Sequence, residues 1–136
     1  MLFNATQHKI VLKRVRIAQT FWQKFKGLMG EQRERFDYAL VFVLGRESRA
    51  GASIHMLFVQ FPIDVAFLNA KKQVVDLVEN LQPWTLNCTP KKPAAFVVEL
   101  PAGTIEEKGL KKGDAVEWKR TSGTRVCKCF LFLSQV

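Results

Sequence analysis

Two residues in this chain have the chemistry of an acid–base pair. His55 can take or give a proton, and Asp64 is a carboxylate able to hold one imidazole tautomer. Both lie in Ser53–Leu68, a run that is apolar except at Ser53, His55, Gln60 and Asp64. A run of that kind is largely buried, and a buried imidazole or carboxylate needs hydrogen-bond partners or a changed protonation state. The alternative to catalysis is structural: Asp64 caps backbone N–H groups at the bend set by Pro62, and His55 is a satisfied core histidine. No third group follows at a fixed spacing to complete a catalytic set.

Other chemistry is thinner. His8, His55, Cys88, Cys127 and Cys129 are scattered without the paired spacings of zinc sites, so neither a metal nor any other cofactor is expected. Cys88 with His55 would make a nucleophile and base, but a single Cys in a proline-rich loop is more often inert. There is no phosphate-cradling glycine loop and no G-x-S-x-G elbow. Trp84 sits in the proline-rich stretch Gln82–Pro93, where its ring either seals the core or lines a ligand site. Ser53, His55, Asp64 and Trp84 are therefore the candidate ligand-binding residues, and His55 and Asp64 the candidate catalytic ones.

The elements that must position these groups are mostly strands. Ile10–Ala18 reads as one strand, Ala39–Leu44 as a buried one, and Pro62 separates an extended piece at 53–57 from a strand at 63–68. Asn69–Lys72 turns the chain so that Gln73–Leu81 pairs back as a hairpin, and Ala94–Leu100 is a further strand. Ala115–Trp118 follows a turn at Gly113-Asp114, and Arg125–Leu133 has the composition of one more strand. Capping boxes at Thr20/Gln23 and Thr104/Glu107 predict two short helices, ended by Gly27 and Gly30 and by Gly109. Phe21, Phe25, Leu28, Val41, Val43, Ile63, Val65, Phe67, Val97 and Leu100 are expected in a single core.

A chain of 136 residues fits one domain with a real core, and 48% hydrophobic against 24% charged residues excludes wholesale disorder. The fold expected is mainly β (α+β): a compact, barrel-like mixed sheet with one or two short helices over residues 1–118. Residues 119–136 form a basic and apolar extension. Cys127-Lys128-Cys129 is no structural disulfide, since three cysteines make no even framework. The start lacks the charged and apolar segments of a secretory signal, and no run approaches the ~20 residues of a membrane span, so a cytoplasmic monomer is expected. The net charge is +9, with eight Lys or Arg between residues 8 and 35 and four more between 119 and 128. A basic face attracts nucleic acid weakly and without sequence preference, and no recognition motif accompanies it here.

Several separated pieces together resemble the DUF192 family, small domains of unknown function also called UPF0127 proteins. They are Ile17-Ala18 to Gly27-Leu28-Met29-Gly30, Ala39–Val43, Ser53–Met56 through Phe61–Leu68, Pro83-Trp84, and Val98-Glu99-Leu100-Pro101-Ala102-Gly103 to Gly109 and Gly113-Asp114. They run in the family's order over residues 2 to 118. Relatives often carry Trp-Met in place of His55-Met56, so the resemblance assigns His55 no role, whereas Asp64 matches a Pro-x-Asp pattern. It implies a mainly β domain and brings no activity. The function expected is a non-catalytic ligand-binding or structural module with its pocket near residues 53–64. The alternatives are a hydrolase-like enzyme using His55 and Asp64, and a basic nucleic-acid-associated protein.

Overall fold

The computed structural model describes residues 1–20, 23 and 26–119. Phe21, Phe25, Cys127, Cys129 and the strand expected at 125–133 lie outside the described residues. In chain order the elements are β1 (Leu2–Asn4), β2 (Lys9–Leu12), β3 (Val15–Ala18), a 3₁₀ turn (Arg33–Arg35), β4 (Ala39–Ser48), β5 (Ile63–Leu68), β6 (Val74–Leu81), β7 (Ala94–Pro101), α1 (Thr104–Lys108) and β8 (Val116–Trp118). The mainly β expectation holds, but the strands form two sheets and no closed barrel. One has three strands in the order β2-β1-β8 and the other five in the order β3-β4-β7-β5-β6.

The five-stranded sheet is mixed: β3 runs parallel to β4, and β4, β7, β5 and β6 pair antiparallel. Both faces of its central strands are buried, which is why β5 is buried at all six positions and reads as a continuous apolar run. Period-2 alternation sends Val41, Ala66, Leu68, Val98 and Leu100 to one face, where they pack on Leu2, Val11 and Val116 of the small sheet and on Ile105 of α1. Phe42, Ile63, Val65, Phe67 and Val97 go to the other face. There the cover comes from loop segments through Leu28, Phe36, Ala52, Met56 and Val59. The single core expected from the sequence is thus two cores divided by a sheet, since each pleat directs alternate side chains to opposite sides.

Three element boundaries differ from the sequence reading. Ile10–Ala18 is two strands in two different sheets, broken at Lys13-Arg14, with Arg14 Nη1 donating to both carboxylate oxygens of Asp37 at 2.7 and 2.8 Å. β4 continues through Gly45 to Ser48, past the end expected at Leu44, and its register with β7 shifts between Val43 and Ser48. The capping box at Thr20 and Gln23 forms: the Gln23 N–H donates to the Thr20 hydroxyl at 3.2 Å and the Thr20 N–H to Gln23 Oε1 at 3.3 Å. The one at Thr104 and Glu107 does not. Gly103 is the N-cap there, with φ +90°, and the Thr104 hydroxyl donates to the Pro101 carbonyl at 2.6 Å.

Candidate functional site

On the loop-covered face of the large sheet lies a pocket of about 110 Å³. Its sheet-side wall is Phe42 and Leu44 of β4 with Val97 and Glu99 of β7, all on one face because Phe42 pairs with Val97 and Leu40 with Glu99. The opposite wall is Gly27, Leu28 and Met29 on one side and residues 51–55 on the other, and Lys26 also contributes. The segment 53–57 is held over the sheet by a bridge, Ile54 N–H to the Cys88 carbonyl at 3.0 Å and Cys88 N–H to the Ile54 carbonyl at 2.9 Å. The Ser53 hydroxyl lies 2.8 Å from that of Thr89, which ties the same two loops together.

Among the described residues Glu99 is the one acid of this pocket. It is 5% exposed, and Oε2 has no hydrogen-bond partner among the described residues. Burial pushes its carboxyl up to about 8, so the group is largely protonated at neutral pH. Tyr38, next along the same buried face, is driven to about 12 by burial, against the pull of the Arg16 guanidinium stacked 4.2 Å from its ring centroid. Its hydroxyl donates to Glu31 Oε2 at 3.4 Å.

The candidates from the sequence are divided by the sheet. Ser53 and His55 line the pocket, both half-buried, and His55 Nδ1 accepts the Leu57 N–H at 3.3 Å. Asp64 lies on the far side with Ala66 and Leu68, so the structure does not bring His55 and Asp64 together as an acid–base pair. Asp64 is 1% exposed, and its two oxygens accept the N–H groups of Asn80 and Ile105, each at 2.9 Å. The first is freed by the bulge in β6, where Glu79 and Asn80, between Val78 and Leu81, oppose the single residue Asp64 between Ile63 and Val65. The second is an orphan N–H of the first turn of α1. Asp64 therefore caps backbone, as one sequence reading had it, but at sites 16 and 41 residues away and not at the Pro62 bend.

Trp84 does not line the pocket. It is 51% exposed, at φ +63°, with its ring edge-on to Phe58 at 5.2 Å between centroids. Cys88 is half-buried, and burial followed by the charge of Asp76 pushes its thiol up, away from a reactive thiolate. Among the described residues no group of three or more His, Cys, Asp or Glu is placed to hold a metal ion, and no helix is long and apolar enough to cross a membrane. Glu99 is not among the residues singled out by sequence chemistry, yet a signal was present. A charged residue inside Ala94–Leu100, a strand apolar at every other position, must be buried by the argument that marks Asp64.

Comparison with known proteins places this geometry in a family. The model of DUF192 (Uncharacterized ACR, COG1430) matches residues 2–118. A UPF0127 protein of Pyrococcus furiosus is 44% identical over 119 residues, covering 88% of this chain and 98% of that one. Another, from Thermococcus sibiricus, is 42% identical over 119 residues, covering 88% of this chain and 75% of that one. Among solved structures, a Sinorhizobium meliloti protein described as a candidate transcription regulator superposes with TM-score 0.74 at 25% identity, over 85% of this chain and 88% of that one. A Novosphingobium aromaticivorans protein of unknown function shares the fold with TM-score 0.67 at 23% identity, over 76% of this chain and 74% of that one. The match across both sheets, from β1 to β8, means that the chain belongs to the DUF192 (UPF0127) family.

Proposed function

We propose that this protein is a small-ligand-binding module whose site is the pocket between the 51–55 segment, Gly27–Met29 and the β4–β7 face of the large sheet. The observation that carries the reading is Glu99: a carboxyl 5% exposed in an apolar pocket wall, with Oε2 unpartnered among the described residues. Leaving a buried polar atom unpaired costs about 1 to 3 kcal/mol, and such a cost persists in functional sites where a ligand supplies the missing partner. Ser53 and His55 add polar groups at the facing wall, which fits an apolar pocket with a few convergent polar atoms. Catalysis by His55 and Asp64 finds no support in this arrangement, because the sheet separates them.

A fragment screen followed by amide chemical shifts tests the proposal. Binders should move the resonances of Ser53, His55, Val97 and Glu99, and Ala52→Leu, which fills the pocket from its loop wall, should abolish those shifts. Hits confined to surfaces away from these residues would overturn it. A second reading, association with nucleic acid, is favoured by the net charge of +9 and by the regulator description of the Sinorhizobium structure.

A further inference from the structure

The chemistry of the pocket walls narrows the ligand class, and this step rests on the ligand-binding reading above. Among the described residues Glu99 is the only acid lining the pocket, and no ion pair joins it to a cation. Tyr38, which feels the charge of Glu99, is already engaged: its hydroxyl with Glu31 and its ring with Arg16. Leu28, Phe42, Leu44 and Val97 supply aliphatic and aromatic wall around it. Lys26 also lines the pocket but is exposed and makes no ion pair with Glu99, so the buried carboxyl has no bound counter-charge, and the aromatic ring of Phe42 in the same wall suits a cation.

We propose that the pocket binds a small primary alkylammonium, its cationic head on the Glu99 carboxylate and its alkyl stem against Leu28, Phe42 and Leu44. About 110 Å³ admits a stem of a few carbons and excludes bulky amines. A neutral carboxyl would hold an alcohol or amide by hydrogen bonds alone, whereas an ammonium ionises Glu99 and gains an ion pair in a site of low dielectric. Binding then expels the Glu99 proton to solvent. Because the free carboxyl titrates at about 8, the affinity rises with pH up to that value and levels off above it. Among the described residues the other titratable and charged groups around Glu99 are Tyr38, before β4, and Lys26 and His55, which line the pocket, while Arg16 and Glu31 act on Tyr38.

The test is a set of titrations of the intact chain with n-propylammonium, n-propanol and propanoate, followed by amide chemical shifts from pH 6 to pH 9. An alkylammonium keeps its charge over this range, as a lysine side chain does with its pKa of about 10.4. The expected result is propylammonium binding about tenfold tighter per pH unit up to about pH 8 and at least tenfold tighter than propanol at pH 8, with shifts at Ser53, His55 and Val97. Glu99→Gln should lose both the preference and the pH slope. Propanoate or propanol binding in the pocket as well as the ammonium would overturn the ligand class while leaving the pocket reading intact. An ammonium affinity that is flat with pH, or unchanged in Glu99→Gln, would do the same. Shifts at none of these residues with any of the three, together with failure of the fragment screen, would overturn both. The wild-type pH profile stands even if Glu99→Gln does not fold.

Discussion

Glu99 and Asp64 are two buried acids one strand apart, and they have opposite surroundings. Asp64 has two backbone N–H donors at 2.9 Å, so its burial is satisfied; Glu99 has no partner for Oε2. The difference predicts different consequences of substitution. Asp64→Ala leaves the Asn80 and Ile105 N–H groups unpaired and should destabilise the fold by about 1 to 3 kcal/mol in urea denaturation. Glu99 instead makes stability depend on pH. Its folded carboxyl titrates at about 8 against an ordinary 4.5, so between those values the unfolded chain releases a proton that the folded one keeps. Unfolding stability should therefore fall as pH rises from about 4.5 to 8 and show no further loss from this group above 8. The total is on the order of 3 to 5 kcal/mol. Glu99→Gln should match the wild type near pH 4.5 and exceed it at pH 8. Denaturation curves across that range that coincide for the two proteins would show that Glu99 is not buried as described.

At the scale of elements, strand 63–68 is the pivot, because it contributes to both cores at once. Phe67, fully buried on the pocket side, pairs with Val97 and Asp76, while Leu68 and Ala66 face the small sheet. Phe67→Ala should cost about 3 to 5 kcal/mol, as removal of a large core side chain does. A loss below about 1 kcal/mol in equilibrium unfolding would contradict its burial. The loops over the pocket are held more lightly than the strands. The 53–57 segment is tied to the 82–93 loop by the Ile54–Cys88 bridge and the Ser53–Thr89 contact, and Phe58 and Trp84, stacked edge-on, both sit at positive φ. Exchange of the Ile54 and Cys88 amides should accordingly be faster than that of Val65 and Val98 in the sheet, measured by hydrogen exchange. Protection of the two pairs to the same degree would mean that the 53–57 segment and the sheet open as one unit.

The whole molecule carries a charge of +9, so the test for association with nucleic acid belongs at this scale. Charge alone gives binding that is lost by about 0.15 M salt, measured by filter binding with single-stranded and duplex DNA. Micromolar binding that survives physiological salt would favour the nucleic-acid reading over the pocket. Much of the molecule was written in the sequence. The boundaries of β5, β6 and β7 and the turns between them follow from apolar runs and turn residues, and the capping box at Thr20 needs only residues three apart. Those signals are local, and local physics settles them. Which acid faces which core is not local. Asp64 and Glu99 each interrupt a buried strand, and by pattern alone they are equivalent; the antiparallel pairing of Asp64 with Leu100 and of Glu99 with Val65 puts one under α1 and the other in the pocket. The same pairing separates His55 from Asp64. Tertiary structure decided this because the face a strand residue occupies depends on register and on what covers each face, and both are set by chain segments 16 to 41 residues away.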